Sequence, residues 1–166
     1  MNTDGHGSVG RAVPCPLKRR LQSSGAHGVT RPTGEINPCS SVVEKIMKME
    51  LRKTFQFEAA HLLPHLPKLH KCRRLHGHSF KVEIVVAGEC DAKLGWLMDY
   101  ADITTTFKPI WGKLDHRYLN KIPGLENPTS ENVAVWIWKR LKPKLPLLVE
   151  VVVAETCTAR AVYRGE

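Results

Sequence analysis

Two stretches of the chain alternate apolar and polar side chains with period two, and this alternation limits the fold more than any other feature of the sequence. The first covers residues 50–60 and the second covers residues 76–87. The apolar positions are Leu51, Phe55, Phe57 and Ala59 in the first stretch and Phe80, Val82, Ile84 and Val86 in the second. Successive side chains of a β-strand point to opposite faces, so each stretch predicts a strand with one buried face.

Other patterns predict two helices and a second pair of strands. Residues 62–75 are rich in proline, lysine and arginine and indicate a loop. A helix is expected over residues 99–111 with Asp99 as N-cap, and a second after Thr129 or Ser130, either of which can cap it. The segments VEVVVAE and CTARAVYR indicate a terminal hairpin. The resulting order of strand, strand, helix, helix, strand, strand predicts an α+β fold.

Composition separates an N-terminal segment from the rest of the chain. Residues 1–46 contain no Phe, Tyr or Trp and are rich in Gly, Pro and Ser, which predicts a disordered extension. Residues 47–166 are long enough for a single domain. Five widely spaced cysteines without a recognisable secretion signal predict a reducing, cytoplasmic location. The formal net charge of +9 favours an anionic partner such as a phosphorylated substrate or a nucleic acid.

Three histidines share the buried face of the two predicted strands. His76 and His78 have the parity of Phe80, and His61 has the parity of Phe57. If the strands pair as antiparallel neighbours, the three imidazoles converge at one end of the core. Three neutral imidazoles with an open fourth position are typical of a catalytic zinc site. The alternative for any single one is a core histidine that is held by hydrogen bonds.

Further polar residues have chemistry that suits an active site. Cys72, four residues before His76, is expected to be a fourth metal ligand, a base or a nucleophile. A carboxylate can orient a neighbouring imidazole, as Asp115 can for His116, although such a pair is also common on protein surfaces. Glu155 has the core-facing parity of the last strands and needs a partner, either an ion pair or a ligand with N–H donors.

Several ordered motifs resemble the 6-pyruvoyltetrahydropterin synthase family. They are FEAAH at 57–61, CRRLHGH at 72–78, LDHRYLN at 114–120, PGLENPTSE at 123–131 and ETCTARAVYRGE at 155–166. Together they extend over most of residues 49–166. Within that family, the Cys-x3-His-Gly-His spacing resembles the bacterial branch that forms 6-carboxy-5,6,7,8-tetrahydropterin for queuosine biosynthesis.

The resemblance implies a tunnelling fold, in which a four-stranded antiparallel sheet has two helices packed on one face. It also implies homo-oligomers, usually trimers paired into hexamers. The implied reaction converts 7,8-dihydroneopterin triphosphate and water to 6-carboxytetrahydropterin, acetaldehyde and triphosphate. The implied roles are zinc binding for His61, His76 and His78, proton acceptance for Cys72, a relay for Asp115 and His116, and pterin binding for Glu155, which joins the relay, and for Thr156.

Two other functions are consistent with parts of this pattern. A pyruvoyl-forming synthase has the same site and substrate but does not cleave the side chain. A zinc-stabilised nucleic-acid-binding module would explain the positive charge, but the chain lacks paired Cys-x2-Cys knuckles and its basic residues are not interleaved with aromatic ones. We therefore expect a small-molecule substrate and neither a nucleic acid nor a membrane as partner.

Overall fold

The computed structural model describes residues 47–166, so the predicted disordered extension at residues 1–46 lies outside the described residues. Two short 3₁₀ turns, at Lys71–Arg73 and Leu119–Lys121, lie in the loops between the main elements. The main elements are β1 (Lys48–His61), β2 (His76–Glu89), α1 (Tyr100–Leu114), β3 (Arg117–Tyr118), α2 (Ser130–Leu141), β4 (Leu148–Ala154) and β5 (Ala161–Tyr163). The α+β class predicted from the sequence is therefore confirmed.

The sheet has one strand more than the sequence predicts. Its order is β3-β1-β2-β4-β5. The four predicted strands pair antiparallel, but β3 pairs parallel to β1, with Arg117 opposite Ala59. The prediction of a purely antiparallel, four-stranded sheet is therefore wrong. A two-residue strand is too short to show any periodicity, and β3 depends on contacts with β1, such as the 2.6 Å bond from the His116 backbone N–H to the Glu58 carbonyl.

Both helices begin at the predicted caps. The Asp99 carboxylate accepts the N–H of Ala101 at 2.7 Å, and the Thr129 hydroxyl accepts the N–H of Asn132 at 3.3 Å. Thr129, rather than Ser130, is therefore the cap of α2. Helix α1 continues through Pro109 and ends at Leu114, three residues beyond the predicted end.

One hydrophobic core lies between the sheet and the two helices. Strand residues of the predicted buried faces meet apolar residues of α1 and α2, and the rings of Phe57 and Phe80 stack at 4.8 Å between centroids. The contributors include Phe57, Phe80, Val82, Ile84, Val151 and Val153 from the sheet and Ile103, Phe107, Val133 and Ile137 from the helices. Both helices thus cover the same face of the sheet, as the family resemblance implies.

The pairing of β1 with β2 fixes where the histidines lie. The two strands are antiparallel over their whole lengths, and His61 is directly opposite His76 at the end of the ladder. His78 follows two residues later on the same face. None of the helices in residues 47–166 is long and apolar enough to cross a membrane.

Candidate metal centre and active site

Three imidazoles meet where β1 ends and β2 begins. One ligand nitrogen from each of His61, His76 and His78 lies within 4.8 Å of the others. The ring centroid of His61 is 4.5 Å from that of His76 and 5.2 Å from that of His78. The two rings of β2 are 5.1 Å apart. The structure thus brings together the three side chains that strand parity predicts at one end of the core, and this cluster can hold a metal ion.

Backbone carbonyls determine which nitrogen of two of these rings is available. The Nδ1–H of His61 donates to the carbonyl of Pro128 at 2.9 Å, and the Nδ1–H of His76 donates to the carbonyl of Arg74 at 2.8 Å. A neutral imidazole that donates from Nδ1 has its lone pair on Nε2. In His61 this Nε2 is buried and has no hydrogen-bond partner within residues 47–166. Outer hydrogen bonds of this kind are typical of histidines that bind metals.

Burial keeps His61 neutral. The side chain is fully buried, and desolvation lowers its pKa. The carbonyl of Pro128 and the negative charge of Glu155 oppose that change but do not outweigh it. A neutral ring with a buried, unpartnered lone pair next to two further imidazoles suits a divalent transition metal, for which imidazole is a common ligand. The residues present therefore fit the metal site that the sequence predicts.

The glycine between the two β2 histidines has a structural reason. A Cβ atom on Gly77 would lie 3.0 Å from the carbonyl oxygen of Ala59 on β1. Real Cβ atoms rarely approach a backbone oxygen so closely. Gly77 therefore lets β1 and β2 stay closely paired at the point where His61, His76 and His78 must converge.

Glu155, directly after β4, has a free carboxylate oxygen near this cluster. Its Oε1 is buried without a partner within residues 47–166, and its charge acts on His61. The side chain lines a cavity of about 200 Å³ together with Ser130, Thr156 and Arg160. Thr156 is exposed, and its hydroxyl lies 3.4 Å from that of Thr158. An unpaired buried carboxylate is costly, so this cavity suits a ligand that provides N–H donors.

Cys72 lies on the first 3₁₀ turn, outside the group of metal-binding nitrogens. The Nδ1 of His70 accepts the backbone N–H of Cys72 at 3.1 Å, and the Cys72 carbonyl accepts the N–H of Leu63. The guanidinium of Arg73 donates to two carbonyls of the same loop, at 2.9 and 2.7 Å. The loop thus holds the half-buried thiol in place, and Arg73 is partly engaged in holding that loop.

The Asp115–His116 pair lies at the end of α1, against β1. Asp115 accepts the Nδ1–H of His116 at 2.8 Å and the backbone N–H of Glu58 at 3.0 Å. The bond from His116, followed by the bond from Glu58, lowers the pKa of Asp115. The His116 backbone has a φ of 54°, which is uncommon for a residue other than glycine.

The same pair has no direct bond to the thiol of Cys72 within the described residues. No hydrogen bond joins Cys72 to Asp115 or His116 in the part of the chain that the structure describes. The His116 side chain is 77% exposed and faces a cavity of about 590 Å³ that Glu58 and Ser79 also line. The structure thus brings the histidine cluster together, with Glu155 near it, and shows no hydrogen bond between Cys72 and Asp115 or His116 within residues 47–166.

Sequence reasoning missed the groups that hold the cluster in place. The carbonyl of Pro128, 67 residues from His61, sets the orientation of that ring. The side-chain amide of Asn120 accepts the backbone N–H of Leu62 and donates to the Leu62 carbonyl. Both residues belong to motifs quoted above, but no local pattern indicates a contact across so many residues.

Comparisons with known proteins identify a family that this chain matches. The family profile described as 6-pyruvoyl tetrahydropterin synthase matches residues 50–166. A 6-carboxy-5,6,7,8-tetrahydropterin synthase of Synechocystis sp. is 45% identical over 67% of this chain and 89% of its own length. A dihydroneopterin monophosphate aldolase of Pyrococcus furiosus is 40% identical over 60% of this chain and 81% of its own length.

A solved structure shows the same fold. The 6-pyruvoyl tetrahydropterin synthase of Caenorhabditis elegans superimposes with a TM-score of 0.67 at 28% identity, over 73% of this chain and 98% of that protein. The fold of this solved structure, the family profile over residues 50–166 and the 45% identical relative all indicate the same family. The chain therefore belongs to the 6-pyruvoyl tetrahydropterin synthase family.

Proposed function

We propose that this protein is a zinc-dependent 6-carboxy-5,6,7,8-tetrahydropterin synthase that acts in queuosine biosynthesis in the cytoplasm. In this reaction 7,8-dihydroneopterin triphosphate and water give 6-carboxytetrahydropterin, acetaldehyde and triphosphate. The observation that carries the proposal is the cluster of His61, His76 and His78, with the buried lone pair of His61 directed into it. The 45% identity to a protein of that name supports the choice within the family.

The metal centre would consist of the three imidazoles. Zinc bound by His61, His76 and His78 would act as a Lewis acid that polarises the hydroxyl oxygens of the substrate side chain. The protein contributes the fixed orientation of the rings through the carbonyls of Pro128 and Arg74. The positive net charge of the chain suits a triphosphate substrate.

Glu155 is the proposed anchor for the pterin. Its buried Oε1 has no partner within the described residues, and a pterin edge presents adjacent N–H groups that a carboxylate accepts. Thr156 follows on the rim of the same cavity and is the proposed second contact. Binding the rigid ring here would place the substrate side chain toward His61, whose pKa responds to the charge of Glu155.

Cys72 is the proposed proton acceptor. Its sulfur is outside the ligand group, which leaves it available as a base rather than as a fourth ligand. The Asp115–His116 pair is the proposed relay, because Asp115 holds the Nδ1–H of the ring and leaves its Nε2 to exchange protons. Within the described residues no hydrogen bond joins Cys72 to this pair, a separation that subunits sharing a site would overcome.

A homo-oligomer with shared sites accounts for that separation. The loop that carries Cys72 also exposes Leu69 completely and Leu75 to 65%, and a cavity lies beside His116. We propose that the loop of one subunit approaches the His116 of the next, in trimers that pair into hexamers. The open edges of the sheet favour such an assembly, since unpaired strands recruit neighbours.

A 6-pyruvoyl tetrahydropterin synthase is the second candidate function, favoured by the structural match to the Caenorhabditis elegans enzyme. It differs from the first candidate because it does not cleave a carbon–carbon bond of the substrate side chain. Both candidates need the same cluster, so geometry alone does not separate them. The products do, because only the carboxy-forming reaction releases acetaldehyde.

The test incubates the zinc-loaded protein with 7,8-dihydroneopterin triphosphate and quantifies acetaldehyde, the pterin product and triphosphate. We expect acetaldehyde and 6-carboxytetrahydropterin in equal amounts, and loss of both after treatment with a chelator. Restoring zinc to the chelated sample is the control for damage to the protein. A pyruvoyl product without acetaldehyde would establish the second candidate, and turnover that survives complete metal removal would contradict the metal-dependent mechanism.

A further inference from the structure

The side-chain amide of Asn120 makes three hydrogen bonds, all to backbone groups of two other segments. Its Oδ1 accepts the backbone N–H of Leu62 at 2.9 Å. Its Nδ2 donates to the carbonyl of Leu62 at 2.8 Å and to the carbonyl of Glu126 at 3.0 Å. The amide thus pairs with Leu62 as a neighbouring strand would, immediately beyond the end of β1.

The two segments that Asn120 joins are those that orient His61. Leu62 is the next residue in the chain after His61. Glu126 is two residues before Pro128, whose carbonyl accepts the Nδ1–H of the His61 ring. A shift of either segment would change the direction of the His61 lone pair relative to His76. One amide therefore links the backbone of the ligand to the loop that selects the tautomer of that ligand.

We propose that Asn120 is a positioning residue for the metal ligand His61. The inference rests on the proposed function, since it requires that the histidine cluster bind a metal. The hydrogen bonds of Asn120 go to Leu62 and Glu126 and not to the cluster, so it would act through Leu62 and the loop ending at Pro128. Outer contacts that orient a ligand typically change metal affinity by about 10–100-fold when they are removed.

The chemistry of an amide is essential at this position. Aspartate has almost the same shape and can still accept the N–H of Leu62, but it has no N–H to donate. Its second oxygen would face the carbonyls of Leu62 and Glu126, so two attractive contacts would become repulsive. Asn120→Asp therefore changes hydrogen bonding with little change in volume, and Asn120→Ala removes all three bonds.

The experiment measures zinc binding by the full chain in competition with a fluorescent chelator. We expect the zinc dissociation constant of Asn120→Asp to rise about 10–100-fold. The cobalt-substituted variant should also show an altered visible spectrum, which reports the geometry of the ligands. Trp136→Phe is the matched control, because Trp136 is buried and donates to the carbonyl of Pro123 in the same loop but makes no hydrogen bond to Leu62 or Glu126.

The outcomes separate this inference from the proposed function. Weak zinc binding by Asn120→Asp together with near-normal binding by Trp136→Phe supports the role of Asn120. Normal binding and an unchanged cobalt spectrum in Asn120→Asp, or equal losses in both variants, overturn it. If the unmodified protein binds no zinc, the metal-centre proposal is wrong and this inference is lost with it.

A measurement on the unmodified protein keeps the test valid if Asn120→Asp does not fold. In protein labelled with ¹⁵N-asparagine, the side-chain N–H groups of Asn120 are followed by hydrogen exchange with and without zinc. We expect slower exchange when zinc is bound, because fixing His61 also fixes its two flanking segments. Identical exchange in both states would show that Asn120 is not linked to the metal site.

Discussion

His61 and His116 differ in how much of their surroundings a single chain provides. The His61 side chain is fully buried, and a carbonyl of the same chain holds its ring. The His116 side chain is 77% exposed, and only one edge of its ring is held, by Asp115. Both imidazoles have Nδ1 occupied, yet within residues 47–166 only His61 has two further imidazoles close enough to share a metal ion with it.

The difference separates binding from proton transfer. The His61 cluster is preorganised by the β1–β2 ladder, so it can bind metal as soon as the chain folds. The Asp115–His116 pair is attached to β1 through Glu58, and the exposed His116 lines a cavity. We infer that metal binding is a property of one chain and that turnover is a property of the assembly. The following predictions test that division, from the largest expected effect to the smallest.

Replacing a ligand should abolish both properties. His61→Ala removes one of three imidazoles and leaves a cavity in the core, so we expect zinc content to fall to near zero and turnover to fall to background. Elemental analysis and the acetaldehyde assay measure the two effects. His65→Ala is the matched control, because His65 is exposed and lies outside the metal cluster. Full zinc content in His61→Ala would contradict the assignment.

Replacing the proposed base should affect only turnover. Cys72→Ala is expected to retain zinc and to lose about 10²–10⁴-fold in turnover, the usual contribution of a general base. Cys157→Ala is the control, since Cys157 is also a free cysteine and is exposed. Loss of zinc from Cys72→Ala would instead identify the thiol as a ligand, and unchanged turnover would exclude it as the base.

Mixing two inactive proteins tests whether sites are shared. Cys72→Ala lacks the thiol and His116→Ala lacks the imidazole. A site formed between one subunit of each variant can still contain both an intact thiol and an intact imidazole. With random exchange of equal amounts, about a quarter of the sites would contain both, giving a similar fraction of normal turnover. Turnover is assayed before and after subunit exchange, with each variant exchanged alone as the control. Mixtures that stay inactive after proven exchange would contradict the shared-site proposal.

The same comparison shows what a sequence can and cannot predict here. Strand parity predicts that His61, His76 and His78 lie on one face, because a period of two is a local property of the backbone. The register that places His61 opposite His76 is consistent with that parity but is set by the whole β1–β2 ladder. The caps at Asp99 and Thr129 are also local, and the structure confirms them.

Contacts between distant segments have no such local signal. Strand β3 has two residues and exists through its pairing with β1. The bond from His61 to the Pro128 carbonyl uses a backbone group, whose position no side-chain pattern encodes. Asn120 reaches Leu62 across 58 residues. The histidine cluster was therefore predictable from the sequence, whereas the groups that orient its rings required the folded chain.

The smallest expected effect concerns stability in acid. The bonds from His116 and Glu58 lower the pKa of Asp115 in the folded protein. The resulting stabilisation is complete above the ordinary carboxyl pKa of about 3.9 and is lost as the pH falls through the lower folded value. We therefore expect Asp115→Asn to be slightly less stable than the unmodified protein near neutral pH and equally stable in strong acid. Urea unfolding at fixed protein concentration across this range measures the difference.

His116→Ala refines this prediction, because His116 is the main cause of the shift in the Asp115 pKa. Removing it should reduce the pH-dependent part of the stability but leave the portion due to the Glu58 N–H. The zinc affinity of His116→Ala should stay normal, since His116 is not among the residues of the metal cluster. The difference in free energy of unfolding between Asp115→Asn and the unmodified protein is the quantity to follow. If this difference is the same at every pH, the ionised Asp115 does not stabilise the edge of the sheet.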